Sequence, residues 1–396
     1  MQRARMVRAL AVVIALCVFF VPVAVMTRLP PPSGFATTPL PYKLLTFGSW
    51  NDVSPAWSPD GKTIAYVSDQ NRVWQIFTMN PDGTSNRAIT PSSYNGTSPS
   101  WSPNSTAIAF MSQAGSKEYV RVVFLANFTI ITLTDGSYSV PQGQPKWSPD
   151  GTQLLFFTAS TSTLLVSVDL ITRALKTVAE VNGSNLLAAW TSSTTVAYST
   201  LGQGGYQIDW ANVTTGEGGV IVSGAANYTA PVVSLSASRL AYISDVIAPK
   251  YGDNAYPSSA YQPGDCNLWV SDLDGWNATF QSAPTGLPFP GAVTYPSPYT
   301  PGTINPAQSL AWSYDGQLIA YTAYSELYGS NIYLWNVAIE ATSLGLLGPT
   351  NSNCTDLSWS PDNVSLAFAA MSAGFYHIFV LNTTGQVVPM PVGAME

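Results

Sequence analysis

The side chains that could do chemistry in this chain are few, and histidine is the clearest case. The sequence of 396 residues contains one histidine, His377, inside the apolar segment of residues 376–381. A zinc site needs several nitrogen or sulfur ligands, and a Ser-His-Asp triad needs a positioned histidine. We therefore interpret His377 as a structural residue of a strand, and we predict no catalytic residue, no metal ion and no cofactor.

Acidic residues offer one other metal site, a calcium loop at residues 272–275 (Asp-Leu-Asp-Gly). The twelve-residue spacing of a calcium-binding loop, with its final glutamate, is missing. The corresponding place in an earlier segment, residues 80–83, reads Asn-Pro-Asp-Gly and is typical of a hairpin turn. The pattern therefore favours a hairpin turn over a calcium site.

Two segments rich in tyrosine and proline are the strongest candidates for a binding surface. Residues 246–264 and 283–308 interrupt the repeat described below. Long loops on a rigid scaffold often carry function, and aromatic side chains offer contact area at low entropic cost. A cap that packs over the fold for stability alone is the alternative. The candidate contact residues are Tyr251, Tyr256, Tyr261, Phe289, Tyr295 and Tyr299.

Cysteines and asparagine sequons both bear on an exported location. Cys266 and Cys354 are expected on one face, where they form either a disulfide or two buried thiols. Ten asparagines fit the N-glycosylation pattern. Sugars would replace charge as a solubilising coat, whereas a surface rich in Ser and Thr would produce some sequons by chance. The candidates are Asn95, Asn104, Asn127, Asn182, Asn212, Asn227, Asn277, Asn353, Asn363 and Asn382.

Seven segments of the sequence repeat one pattern, and this repeat determines the predicted fold. In the first copy, Trp57-Ser-Pro-Asp-Gly leads into Ile64-Ala-Tyr, and the fifth copy has lost its tryptophan. The period of roughly 45 residues is that of a four-stranded propeller blade. We predict an all-β fold, a seven-bladed β-propeller of four-stranded blades at residues 43–392, preceded by one N-terminal transmembrane helix. The copies centre on Trp57, Trp101, Trp147, Trp190, Val233, Trp312 and Trp359.

The combination of Trp-Ser-Pro-Asp-Gly, then apolar-Ala-aromatic, then Asn/Asp-x-Asp-Gly resembles the TolB-type propeller repeat. That repeat also occurs in the propellers of the tricorn and prolyl-oligopeptidase proteases. The resemblance covers about residues 43–392, and it implies a fold without an activity, because propellers host many functions. Neither the additional α/β domain of the Tol-system protein nor the hydrolase domain of the proteases has a counterpart in this sequence.

Ring closure is also readable from the sequence. Residues 43–47 look like the fourth strand of a blade, yet they precede the first blade. We expect this strand to join the last blade beside residues 376–381. Residues 387–390 compete for the same position.

The first 42 residues predict a membrane attachment. Arg3, Arg5 and Arg8 precede an uncharged apolar run at residues 9–26. We interpret residues 1–28 as a single-pass anchor with a cytoplasmic N-terminus and an extracytoplasmic propeller, in preference to a cleaved signal peptide. Residues 29–42, rich in proline, would be a semi-rigid spacer.

Charge excludes one class of partner. The chain has 22 acidic against 15 basic residues, and charged residues make up 9% of it. Nucleic-acid binding needs a basic stripe, and none is visible. The scarce lysine, the anchor and the sequons together point to a surface protein of archaeal type.

Three functions fit this sequence. The first is a cell-surface module that binds a protein or glycan through the two long segments, on the face opposite the Ser-Pro-Asp-Gly turns. We expect the other sequons to lie away from that face and Asn353 to be the exception that lies on it. The second is a structural subunit of a cell-envelope assembly or filament, and the third is a cryptic glycan-active enzyme that uses carboxylates.

Overall fold

Short strands joined by tight turns recur along the chain, and every group of four forms one sheet. The computed structural model describes residues 42–115, 117–136, 143–159, 162–183, 186–224, 228–244, 267–273, 279–280, 310–325, 329–338, 341–342, 347–349 and 352–385. Within these residues 28 strands form seven four-stranded antiparallel sheets. These sheets are the seven predicted blades.

The first three blades use strands β2 to β13, paired in chain order. Blade one comprises β2 (Asp52–Trp57), β3 (Ile64–Ser68), β4 (Gln75–Met79) and β5 (Arg87–Ala88). Blade two comprises β6 (Gly96–Trp101), β7 (Ala107–Ala114), β8 (Lys117–Phe124) and β9 (Thr129–Thr132). Blade three comprises β10 (Lys146–Trp147), β11 (Gln153–Ala159), β12 (Thr163–Asp169) and β13 (Leu175–Val181).

The remaining blades follow the same order, except that the fourth strand of blade seven is β1 (Tyr42–Leu44). Blade four comprises β14 (Ala188–Trp190), β15 (Thr195–Leu201), β16 (Tyr206–Asn212) and β17 (Gly218–Val222). Blade five comprises β18 (Tyr228–Ser234), β19 (Arg239–Ser244), β20 (Asn267–Asp272) and β21 (Thr279–Phe280). Blade six comprises β22 (Leu310–Trp312), β23 (Leu318–Ser325), β24 (Gly329–Asn336) and β25 (Ala341–Thr342). Blade seven adds β26 (Thr355–Trp359), β27 (Ser365–Ser372) and β28 (Phe375–Asn382).

The first strands of the blades form the inner wall of a ring. Each first strand contacts the first strand of the next blade, and β26 of blade seven contacts β2 of blade one. The second strand of each blade lies between the sheets of the two neighbouring blades, so both of its faces are apolar. In blade one, all five residues of Ile64–Ser68 are buried. The fold is therefore a closed seven-bladed propeller, as the repeat predicts.

The Ser-Pro-Asp-Gly segments form the turns between first and second strands. In blade one, the Ser58 hydroxyl donates to Asp60 Oδ1 at 2.7 Å, and the same carboxylate oxygen accepts from the Lys62 backbone N–H at 3.1 Å. The backbone N–H of Thr63 donates to Ser58 Oγ. Gly61 adopts φ 73°, a left-handed conformation that glycine takes without strain.

Tryptophan indoles join five of the seven blades to the blade before them. The Nε1–H of Trp101 donates to the backbone carbonyl of Ala56 at 2.9 Å, directly before Trp57 in blade one. Four further tryptophans repeat this hydrogen bond across four other blade interfaces. These pairs are Trp147 to Ser100, Trp190 to Lys146, Trp312 to Val232 and Trp359 to Ala311.

The ring closes through β1, which confirms the expected position of this strand. Tyr42 pairs with Leu381, and Leu44 pairs with Phe379. The backbone N–H of Leu45 donates to the Ile378 carbonyl at 2.8 Å, and the Ile378 N–H donates to Thr46 Oγ1 at 2.9 Å. Residues 387–390, the competing segment, lie outside the described residues.

Helix is almost absent from the part of the chain that the structure describes. A single 3₁₀ turn, Ser92–Tyr94, precedes blade two. Of the helices found in that part, none has the length and apolar character that would let it cross a membrane. The predicted anchor at residues 1–28 and the spacer at residues 29–42 lie outside the described residues, apart from Tyr42.

Candidate functional site

The two ends of the ring differ in their connections. Connections from first to second strands and from third to fourth strands lie at one end, which we call the turn face because it carries the Ser-Pro-Asp-Gly turns. Connections from second to third strands and from one blade to the next lie at the other end. We call this end the insertion face.

Blade five has the longest gaps between its strands, and both open on the insertion face. Ser244 ends β19 and pairs directly with Asn267, which begins β20. Phe280 ends the blade at β21, and Leu310 begins β22 of the next blade. Residues 246–264 and 283–308 fall in these two gaps, so the strand ends that flank the two segments share one face.

The same connection is short elsewhere in the ring. In blade seven, Ser372 ends β27 and Phe375 begins β28, with Ala373 and Gly374 between them. Blade five is therefore exceptional in the length of chain that it places on the insertion face. The predicted contact residues lie outside the described residues: Tyr251, Tyr256, Tyr261, Phe289, Tyr295 and Tyr299.

The sequons divide between the two faces. None of the eight described asparagines is buried. Five of them lie on the turn face and three on the insertion face. We expected Asn353 to be the one sequon on the insertion face, and this expectation is wrong. Asn95 and Asn182 also lie beside strand ends on that face. The turn-face set is Asn104, Asn127, Asn212, Asn363 and Asn382. Asn227 and Asn277 lie outside the described residues, and glycosylation stays a prediction.

Cys354 is the described member of the predicted cysteine pair. Its thiol is buried, and it lies 3.9 Å from the Ser352 hydroxyl. Burial raises the pKa of the Cys354 thiol to about 12. Cys266 lies outside the described residues, so the choice between a disulfide and two thiols stays open.

The segment considered as an alternative calcium loop, residues 272–275, begins in a strand of a hairpin. Strands β20 and β21 are antiparallel neighbours, with Val270 opposite Thr279. Asp272 ends β20, and residue 274 lies outside the described residues. Among the described residues, no cluster of His, Cys, Asp and Glu could hold a metal ion.

His377 lies in β28, as its apolar surroundings predict, and it faces an acid that the sequence did not reveal. Its Nδ1 lies 3.7 Å from Oδ2 of Asp52, the first residue of β2, and both side chains are buried. Burial raises the pKa of Asp52, although the Ser68 and Thr46 hydroxyls and His377 act to lower it. The pair joins blade seven to blade one at the closure of the ring.

A second buried carboxyl group lies at the same interface. Asp356 in β26 has no exposed surface, and its Oδ2 accepts hydrogen bonds from the Ser54 backbone N–H at 3.0 Å and from the Ser54 hydroxyl at 3.3 Å. Burial raises the pKa of Asp356 to about 6. Its φ of 57° places it at a bulge where the pairing of β26 with β27 shifts register.

The centre of the ring holds a cavity of about 530 Å³, lined mostly by first strands and turn prolines of blades one to six. One charged side chain, Lys146 of β10, is among its described lining residues. The Lys146 ammonium donates to Gln144 Oε1 at 2.6 Å. Burial lowers the pKa of Lys146 to about 8.

Sequence reasoning missed Asp52, Asp356 and Lys146. The signal for the last two was available in the repeat itself. Asp356 occupies the position that Ser54 and Ser98 hold in the first two copies, and Lys146 precedes a repeat tryptophan where other copies have a small residue. Each is therefore a charged outlier at a position that holds uncharged residues in the other copies.

Three solved structures that match this fold have low sequence identity to this chain. An oligogalacturonate lyase in complex with manganese is 13% identical, with 86% of this chain and 92% of that chain covered and a TM-score of 0.65. An oligogalacturonate lyase from Vibrio parahaemolyticus is 14% identical, with 87% and 94% covered and a TM-score of 0.62. The β-propeller domain of the Trilobed protease from Pyrococcus furiosus, described as having an open velcro topology, is 13% identical, with 86% and 97% covered and a TM-score of 0.57. At such identity the likeness shows the fold alone.

The family comparison addresses the repeat directly. The model of the TolB beta propeller domain matches residues 40–194. This stretch contains β1 and blades one to three, and it ends after Trp190 of blade four. The resemblance drawn from the Trp-Ser-Pro-Asp-Gly segments is thereby confirmed. This protein is a seven-bladed β-propeller whose residues 40–194 match the model of the TolB beta propeller domain.

Proposed function

We propose that this protein is a membrane-anchored propeller outside the cytoplasm that binds a protein or a glycan at the cell surface. Residues 1–28 hold it in the membrane, and residues 29–42 keep the ring away from the lipid. Its role is binding and not catalysis, and sugars on its sequons keep a surface of low charge soluble.

The observation that carries this proposal is the pair of long gaps in blade five. The ends of β19, β20, β21 and β22 that flank them all lie on the insertion face. A closed ring of seven packed blades is a rigid support, and long segments on rigid supports commonly carry recognition. The tyrosines and prolines of these segments suit contact with a protein or a glycan.

Capture of a partner from native membranes tests the proposal. The full-length protein carries an affinity tag, and two variants replace residues 246–264 or residues 283–308 by a short Gly-Ser linker. We expect both variants to remain folded, because Ser244 and Asn267 are paired neighbours and residues 283–308 lie between the strands β21 and β22. We expect both variants to lose the captured partner. Mass spectrometry of the eluate and a glycan array identify which class of partner is lost.

A variant on the opposite face provides the control. Ile171 on the turn face is 85% exposed, and Ile171→Ser should leave capture unchanged. If capture survives deletion of both segments together, the binding site is elsewhere, and the outer edge of the ring becomes the place to search.

A further inference from the structure

The central cavity contains a cation with no described counter-ion. Ion pairs among the described residues join Lys62 to Asp60 and His377 to Asp52. Lys146 donates one hydrogen bond to the Gln144 side chain, and an ammonium group has three hydrogens to donate. Its charge is therefore incompletely satisfied by the part of the chain that the structure describes.

Packing does not require a lysine at this position of the repeat. The residue before the repeat tryptophan is only partly buried in every blade that keeps the tryptophan. In the other such blades it is small. These residues are Ala56, Ser100, Ala189, Ala311 and Ser358. Lys146 is the exception, and it places one positive charge at the wall of the central cavity.

The rest of the described lining is mostly apolar. Indoles of three consecutive blades and three turn prolines contribute to it: Trp101, Trp147, Trp190, Pro59, Pro103 and Pro149. A volume of about 530 Å³ falls within the range of roughly 300–1,000 Å³ that is usual for small-molecule pockets. Charge attraction is stronger in such surroundings than at an exposed surface, because little water screens it.

We propose that this cavity binds a small apolar organic acid through an ion pair between the acid's single carboxylate and the ammonium group of Lys146. The carboxylate oxygen accepts a hydrogen bond from Nζ, while the hydrocarbon part contacts the indoles and prolines. Three turn prolines place part of the cavity lining on the turn face, opposite the insertion face that carries the proposed partner surface.

The pH dependence of binding follows from the lysine. With a pKa of about 8, Lys146 is mostly protonated at pH 7 and mostly neutral at pH 9. Tyr314 is the other titratable side chain among the described lining residues, and burial raises its pKa, so it stays neutral. Affinity for a carboxylate should therefore fall about tenfold between pH 7 and pH 9.

Octanoate and octanol are the probes, because they share an apolar chain and differ in charge. Isothermal titration of the full-length protein in detergent, supported by quenching of tryptophan fluorescence, gives the two affinities. We expect saturable octanoate binding at pH 7 that is at least about tenfold tighter than octanol binding. Lys146→Met should remove that preference and the pH dependence while octanol binding persists.

Two further variants locate the site. Lys176→Met removes an exposed lysine whose Nζ donates to the Thr214 carbonyl, and it should bind octanoate like the unmodified protein. Ala189→Phe fills the cavity wall and should weaken both probes. Equal affinity for octanoate and octanol at pH 7, or an octanoate affinity that is the same at pH 7 and pH 9, would overturn the proposal even if Lys146→Met failed to fold.

Discussion

Asp356 is a carboxyl group with no exposed surface, and its ionisation opposes folding. Its pKa rises from an ordinary 3.8 to about 6 because burial disfavours the charged form. The folded state therefore holds the proton more tightly than the unfolded state. By linkage, the ionisation of Asp356 leaves the unfolding free energy unchanged below about pH 4. It lowers the unfolding free energy increasingly as pH rises and has its full effect above about pH 6.

Replacing Asp356 by asparagine should remove this pH dependence. The amide oxygen can still accept the Ser54 hydrogen bonds, but it carries no charge. Relative to Asp356→Asn, the unmodified protein should lose up to about 3 kcal/mol of unfolding free energy between pH 4 and pH 7. Urea unfolding at several pH values measures this difference, and parallel stability curves would show that Asp356 ionises in the folded state with an ordinary pKa.

Asp150 provides a comparison of opposite sign. It lies in a turn, where the hydrogen bond from the Ser148 hydroxyl lowers the pKa of its carboxyl. Its stabilising contribution is therefore present above its unfolded pKa and is lost as the solution becomes acidic. Asp150→Asn should reduce stability at pH 7 more than at pH 3, which is the reverse of the change expected for Asp356→Asn.

At the scale of strands and turns, the sequence predicted most of blade one. The first copy predicts strands at residues 64–68 and 75–79 and a first strand that ends at Trp57, and the structure shows all three bounds. The same copy predicts a fourth strand at residues 87–90, but β5 is shorter and covers Arg87–Ala88. Turn residues mark the inner strands sharply, whereas exposed outer strands carry weaker signals.

Interfaces between blades depend on contacts that a repeat pattern cannot reveal. The repeat contains one tryptophan in each of six copies, but it does not reveal that a tryptophan Nε1–H donates to a carbonyl of the preceding blade. Trp57 holds the same place in the repeat, yet its Nε1 is buried and has no hydrogen-bond partner among the described residues. Its backbone N–H instead donates to the Ser358 hydroxyl at 2.8 Å.

This difference between two tryptophans gives a prediction with an internal control. Trp101→Phe removes the donor to the Ala56 carbonyl, whereas Trp57→Phe removes an N–H that has no described acceptor. Both side chains are buried to a similar degree, so the packing losses should be comparable. Trp101→Phe should therefore cost about 0.5–1.5 kcal/mol more unfolding free energy than Trp57→Phe. Equal costs in urea unfolding would show that the indole hydrogen bond contributes no net stability.

For the whole molecule, the repeat predicts the number of blades and their order, whereas it left two candidates for the closing strand, of which the structure shows β1 paired with β28. The alignment of the fifth copy, which lacks a tryptophan, is supported by the Trp312 indole, because it donates to Val232 where other indoles reach the residue before a tryptophan. The buried pair of Asp52 and His377 at the closure could not be predicted in the same way. Asp52 and His377 are distant in sequence and meet only when blade seven reaches blade one.

The closing strand makes a prediction for the ring as a unit. A chain that begins at Phe47 lacks β1, Leu45 and Thr46, while a chain that begins at Tyr42 keeps them. Leu45 is buried in the core shared by blades one and seven, and its loss costs roughly 1.5–3 kcal/mol. The lost hydrogen bonds to Ile378 add about 1 kcal/mol each.

The chain that begins at Phe47 should therefore unfold at a markedly lower urea concentration than the chain that begins at Tyr42. It should also self-associate in size-exclusion chromatography, because β28 becomes an unpaired edge strand. A synthetic peptide of residues 42–47, supplied in excess, should restore part of the lost stability by pairing with β28 through the register Tyr42 to Leu381. If the two chains have the same stability and remain monomeric, β1 is not what holds the ring closed, and the packing of β2 against β26 and β27 must suffice.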